Sequence, residues 1–143
     1  MKSEIKSTVL VRAIVNVPVS KVWKSWTTPE DIIRWNYASD DWHTPSAIND
    51  LKRGGKFSYR MEARDGSMGF DFRGTYDQIV VNKKIGYTLG DGRKVKIVFS
   101  PVGNRTEVLE TFETENENSI EMQRNGWQSI LNNFKNYVES ESK

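Results

Sequence analysis

Hydrophobic and polar positions along this chain change their period three times. Residues 5–17 are rich in Thr, Val and Ile and read as a first strand that ends at Pro18. Val19, Val22, Trp23 and Trp26 then recur at three- and four-residue spacings, which predicts a short helix with those side chains on one face. Thr28-Pro29-Glu30-Asp31 starts a second helix, with Thr28 as hydroxyl N-cap, proline at the first helical position and acids in the first turn. That helix carries Ile32, Ile33 and Trp35. From residue 46 the period becomes two. Gly54-Gly55, Asp65-Gly66, Asp91-Gly92 and Gly103-Asn104 are turn signals between β-branched or alternating runs. The runs at 46–51, 56–63, 68–81, 85–90, 93–100 and 105–114 bring the total to seven strands, mostly antiparallel because their connections are short. Finally Ile120, Gln123, Trp127, Ile130, Leu131, Phe134 and Val138 mark one long amphipathic helix.

The two-residue period also assigns faces. Phe57, Tyr59 and Met61 lie opposite Ser58, Arg60 and Glu62, while Phe70, Phe72, Gly74 and Tyr76 lie opposite Asp71, Arg73, Thr75 and Asp77. Ile85, Tyr87 and Leu89 continue the dry face, followed by Val95, Ile97 and Phe99, then Val108, Glu110 and Phe112. Seven strands at ~4.8 Å spacing span roughly 29 Å, whereas a helix with its side chains is only about 10–12 Å wide. One terminal helix therefore cannot cover the sheet. The sheet must curl around it, with the two short helices closing one end. The fold class is α+β, a curved antiparallel sheet of about seven strands around a long C-terminal helix. Large inward rings either fill the remaining space or line it.

Local details refine this picture. Gly126 inside the long helix costs roughly 1 kcal/mol relative to alanine, which a close approach to something bulky would justify. Asn116 to Ser119 supply N-cap candidates, and the final ESESK reads as frayed. The 143 residues read as a single domain, 1–143, without linker or repeat. Net charge is +2, from 21 basic and 19 acidic residues mixed along the chain, so neither a nucleic-acid stripe nor a polybasic membrane anchor is indicated. The absence of cysteine excludes thiolate metal sites, thiol catalysis and disulfides. The N-terminal segment lacks a long apolar run and reads as neither signal peptide nor spanning helix. The expectation is a cytoplasmic monomer with no cofactor, no bound metal, no nucleic-acid partner and no membrane insertion.

The order of strand, two short helices, six-stranded meander and terminal helix carries a resemblance. VWKSWTTPEDIIRW, NDLKRGGKFSYRMEARDGSMGFDFRGTYDQIV, IGYTLGDGRKV, TEVLETFETEN and QRNGWQSILNNFKNYVES together cover nearly the whole chain. It resembles the activator-of-heat-shock-ATPase branch of the START-like (SRPBCC, polyketide-cyclase-like) helix-grip superfamily. The resemblance implies a sheet gripping the terminal helix around a deep hydrophobic pocket. Members of that superfamily bind lipids, sterols, hormones or aromatic polyketides, and some catalyse cyclisations. The eukaryotic activators stimulate a chaperone ATPase and carry an additional N-terminal domain not seen in this sequence.

Candidate chemistry is sparse. Glu110 occupies an inward position between Val108 and Phe112, where desolvation would raise its pKa as a general acid or base requires. The bland alternatives are a bulge that turns it outward or a neighbouring Arg or Tyr. His43, the only histidine, reads as a loop residue near the pocket mouth. Asp40 and Asp41 are adjacent in a loop and point apart, and Gly90-Asp91-Gly92 is a hairpin turn rather than a phosphate cradle. Glu110 and His43 are thus the catalytic candidates, but no constellation surrounds them. A binding protein is favoured over an enzyme. The stretch Trp23–His43 holds four of the five tryptophans. Trp23 and Trp26 read as packing residues, while Trp35 and Trp42, with Tyr37 between them, read as the pocket entrance. The sheet is expected to contribute Phe57, Tyr59, Met61, Phe70, Phe72, Tyr76, Tyr87, Phe99 and Phe112 to a ligand site, and the helix Trp127, Ile130, Leu131 and Phe134. The expected occupant is a small hydrophobic molecule, aromatic, polyketide-like or lipid-like. The alternatives are a co-chaperone that meets a heat-shock ATPase and a cyclase or dehydratase.

Overall fold

A computed structural model describes residues 7–141. Strand β1 (Thr8–Val15) leads into helices α1 (Val19–Thr27) and α2 (Pro29–Trp35). Six strands follow: β2 (Trp42–Asn49), β3 (Lys56–Ala63), β4 (Gly69–Val80), β5 (Lys84–Leu89), β6 (Lys94–Val102) and β7 (Arg105–Glu113). Helix α3 (Ile120–Glu141) closes the chain. The strands form one sheet in the order β1-β7-β6-β5-β4-β3-β2, with every neighbouring pair antiparallel. Only the first link breaks sequence order, because α1 and α2 carry the chain from β1 at one edge to β2 at the other.

The predicted faces hold where the sheet is covered. Val9, Val11, Ala13 and Val15 of β1, Ile85, Tyr87 and Leu89 of β5, Val95, Ile97 and Phe99 of β6, and Val108 and Phe112 of β7 are all buried. The hairpins β3–β4 and β5–β6 turn through Gly66 and Gly92, at φ 79° and 93°, a region that L side chains rarely enter. Asn82, between β4 and β5, is the one non-glycine described residue at positive φ (63°), a conformation that asparagine tolerates. A register shift between Tyr76 and Gln78 bends β4 against β5.

Both sheet edges are protected. Gln128 on α3 pairs with the exposed backbone of β1, its Nε2 donating to Arg12 O (3.0 Å) and its Oε1 accepting from Arg12 N (3.3 Å). Lys135 Nζ donates to Ile14 O (2.8 Å), and Glu139 accepts from Asn16 N (2.8 Å). Helix α3 thereby takes the place of a further strand along that edge. On β2, the other edge, Pro45 stands where the pairing with β3 shifts between His43 and Ser46.

Helix α3 packs against β1, α1 and α2, burying Leu131, Phe134 and Val138. It leans to one side, so β3 and β4 are left without a cover along part of their inward face.

Several expectations require correction. The Thr28 hydroxyl donates back to Lys24 O (2.7 Å), so it closes α1 rather than capping α2. The expected caps of α3 do include the one used: among Asn116 to Ser119 it is Ser119, its Oγ accepting from Met122 N (3.1 Å). A Cβ built on Gly126 would meet nothing within 4 Å, so no close approach requires glycine there. The helix runs on through Glu141, so Glu139, Ser140 and Glu141 are helical rather than frayed, while the last two residues of the expected frayed segment lie outside the described residues. β2 begins four residues earlier than expected, at Trp42, which removes His43 from the loop. Residues 5 and 6 of the expected first strand lie outside the described residues.

Candidate functional site

The uncovered part of the sheet and the inner face of α3 enclose a cavity of about 620 Å³. Its walls come from four sources. The sheet contributes Tyr59 and Met61 of β3, Phe70, Phe72 and Tyr76 of β4, Ile85 and Tyr87 of β5, and Glu110 of β7. Helix α3 contributes Gln123, Trp127 and Ile130. Trp26, Trp35 and Asn36 close one side, and Trp42, Met68, Arg93, Glu115, Glu117 and Asn118 complete the lining.

The rings are held in place by one another. Trp127 lies parallel to Phe112, with centroids 4.1 Å apart and planes 9° apart, and meets Phe72 edge-on at 5.9 Å. That contact fixes the helix to β7 and leaves part of the indole facing the cavity. Trp26, Trp35 and Phe134 form a second cluster with centroid separations of 4.7–5.0 Å. Trp35 Nε1 donates to Ser25 O (3.0 Å), which orients its ring. Phe57 packs among Tyr59, Tyr76 and Tyr87 at 4.8–5.2 Å. A Cβ on Gly74 would stand 3.0 Å from the Phe57 ring and 2.7 Å from Thr88 O, so that position admits only glycine.

Polar groups are few and placed differently. Tyr76 Oη donates to Asn49 Oδ1 (2.5 Å), and burial pushes its pKa up to about 12. Burial raises Tyr59 and Tyr87 well above their ordinary range, with the Glu110 charge adding to both. Glu110 remains on the inward phase, opposite Val11 of β1 and Ile97 of β6, so no bulge has turned it out. It is 6% exposed. Neither an ion pair nor a hydrogen bond engages its carboxyl among the described residues, and burial alone pushes its pKa up to about 8. Buried side-chain oxygens and nitrogens sealed from the surface all have partners, so the Glu110 carboxyl is one that opens onto the cavity. At neutral pH it keeps its proton and offers both a donor and an acceptor.

The sequence-expected residues fall into three groups. Trp35, Trp42, Tyr59, Met61, Phe70, Phe72, Tyr76, Tyr87, Trp127, Ile130 and Glu110 line the cavity. Phe57, Phe99, Phe112, Leu131 and Phe134 lie behind that lining as core, between 0% and 3% exposed. Tyr37 and His43 lie elsewhere. Tyr37 serves through its backbone, its carbonyl accepting from Asn133 Nδ2. His43 pairs with Glu62 on the polar face, its Nε2 3.9 Å from Glu62 Oε1, so the two catalytic candidates are on opposite sides of the sheet. Trp35 is 3% exposed and forms wall rather than entrance. Phe70, 47% exposed, and Trp42 meet at 5.9 Å where the cover ends.

Sequence reasoning missed Trp26, Asn36, Met68, Ile85, Arg93, Glu115, Glu117, Asn118 and Gln123 as lining residues. Gln123 carried a signal, a polar side chain in the apolar phase of α3. It is buried and bonds Glu115 N, Glu115 O and Asn118 O, which braces the β7–α3 loop. Among the described residues no group of three or more His, Asp or Glu side chains is placed to hold a metal ion. No described helix is long and apolar enough to cross a membrane.

This architecture and sequence have relatives. The family model of the activator of Hsp90 ATPase homolog 1-like protein matches residues 16–139. The chain belongs to that family. A solution structure of an AHSA1-like protein from Aeromonas hydrophila is 40% identical, with coverage of 95% of this chain and 94% of that one and a TM-score of 0.89. A solution structure from Cytophaga hutchinsonii is 51% identical, covers 96% and 94%, and superposes with a TM-score of 0.79. A crystal structure from Nitrosomonas europaea, 17% identical over 94% and 96% of the chains, shares the fold at a TM-score of 0.80. Among curated proteins none matches the chain significantly. The resemblance carried by the sequence motifs is thereby borne out at the level of family and fold.

Proposed function

We propose that this family member is a cytoplasmic, monomeric binding protein that holds a small hydrophobic, ring-bearing molecule between the sheet and α3. The observation that carries the reading is the cavity itself. Its volume of about 620 Å³ falls within the ~300–1,000 Å³ of small-molecule sites. Its walls are mostly apolar, nine of the 20 lining residues being aromatic, with one buried and unengaged carboxyl among them, which is the composition such sites use to combine affinity with orientation. Desolvating an aromatic ligand at ~25 cal/mol per Å² supplies several kcal/mol before the losses of association. Native mass spectrometry of freshly purified protein tests the reading directly, alongside chemical-shift mapping with small aromatic probes. Shifts should concentrate at Tyr59, Phe72, Tyr87, Trp127 and Ile130 and spare the polar face around Arg60 and Asp71. No bound mass together with no shifts from a broad aromatic set would refute it.

The family's name supports a second reading, activation of a heat-shock ATPase. Faster ATP hydrolysis by the cognate chaperone on addition of this protein would favour that role.

A further inference from the structure

The charges around the cavity are unequal, and their placement bears on what enters. Three acidic side chains, Glu110, Glu115 and Glu117, belong to the lining, against one basic one, Arg93. Arg93 is already engaged, its Nε 2.8 Å from Asp91 Oδ2, and it forms no ion pair with Glu110. Glu115 is occupied as well, accepting from the backbone N–H groups of Glu117 (3.1 Å) and Asn118 (2.8 Å). Only Glu110 is both buried and unengaged. An anionic ligand would find the one lining cation already paired with Asp91 and would face a carboxyl that resists sharing its space with another negative charge.

We infer that the ligand carries a basic nitrogen, and that Glu110 anchors it by forming an ion pair with the protonated amine while its apolar part lies among the rings. This rests on the binding role proposed above and specifies its chemistry. An ammonium group beside Glu110 would also face the π surfaces of the wall, which attract cations when desolvated. Folding has already removed the carboxyl from water, so binding adds only the desolvation of the ligand and the cost of ionising Glu110, which the ion pair must offset.

The groups that surround Glu110 are compatible with this. Val11 and Ile97 flank it across β1 and β6, and α3 presents Gln123, Trp127 and Ile130, all uncharged. Tyr59 and Tyr87 are the titratable neighbours, and burial keeps both protonated through neutral pH. With a pKa of about 8, Glu110 is mostly protonated at neutral pH in the empty site. A primary amine, being the stronger base, arrives protonated. Ion-pair formation therefore ionises Glu110 and sends its proton to solvent, about one proton per amine bound.

Three probes of matched size test this by calorimetry at neutral pH: naphthylethylamine, naphthylethanol and naphthylacetic acid. The amine should bind about tenfold or more tightly than the alcohol, and the acid most weakly. Repeating the amine titration in buffers of different ionisation enthalpy should reveal the released proton. In the Glu110→Gln variant the preference for the amine and the proton release should vanish while the alcohol still binds. If the alcohol or acid binds as tightly as the amine, or if the variant keeps the preference, the basic-nitrogen assignment fails and the binding role stands. If none of the three binds and no cavity resonance shifts, both fail.

Discussion

Glu110 interrupts an otherwise apolar set of side chains on β7, between Val108 and Phe112, and nothing neutralises it. Its proton affinity consequently differs between the folded and unfolded chain. The unfolded carboxyl releases its proton near the ordinary 4.5, whereas the folded one holds it to about 8. Between those values the native state binds more protons, so stability falls as pH rises through that window and levels off above it. The cost above about pH 8 is on the order of a few kcal/mol, since each tenfold change in proton affinity is worth ~1.4 kcal/mol. Glu110→Gln keeps the shape and removes the titration. Its denaturant stability should match the parent near pH 4 to within about 1 kcal/mol, then exceed it increasingly toward pH 9. Parallel pH profiles for the two proteins would mean that this carboxyl titrates as it does in water. The inward phase of Glu110 was legible in the two-residue period. Its lack of a partner was not, because that depends on which side chains three other strands and a helix bring near.

At the scale of elements, α3 performs two tasks that its sequence discloses unequally. The apolar spacing of Leu131, Phe134 and Val138 announced a buried stripe, and that stripe is buried. The polar side chains of Gln128, Lys135 and Glu139 gave no sign that they would seal the edge of β1, since such pairing depends on where the helix comes to rest. Gly126 was misleading in the opposite direction. A glycine within a helix invites a packing explanation, yet there is open space where its Cβ would stand. It also lies within the helix, without a positive φ. Gly126→Ala should therefore raise stability by about 0.5–1 kcal/mol through helix propensity and a less flexible unfolded chain. Denaturant midpoints with an unchanged slope would measure the gain, and a loss of stability would show that the backbone there does need glycine.

Over the whole molecule, the division between core and cavity follows from the mismatch of widths, a sheet of seven strands and a helix resting on one side of it. That mismatch could be computed from strand count alone. The sequence could not show which inward rings the helix would reach. Phe70 and Phe134 make the contrast concrete: both are phenylalanines on apolar faces, one 47% exposed at the rim and the other 0% exposed beneath Trp26 and Trp35. Their truncation should separate stability from binding. Phe134→Ala removes a ring from a packed cluster and should cost about 3–5 kcal/mol. Phe70→Ala removes a ring that remains half in water, and its cost should be under about 1 kcal/mol, in the range of ordinary surface changes. Its ring nevertheless forms part of the cavity wall, against Trp42. Binding of an aromatic probe should weaken severalfold in Phe70→Ala while its thermal midpoint without ligand stays close to the parent's. Paired unfolding and titration curves for the two variants decide the matter. Equal destabilisation would mean that the rim folds as core. Unchanged affinity in Phe70→Ala would place the ligand deeper, wholly among Tyr59, Tyr87 and Trp127.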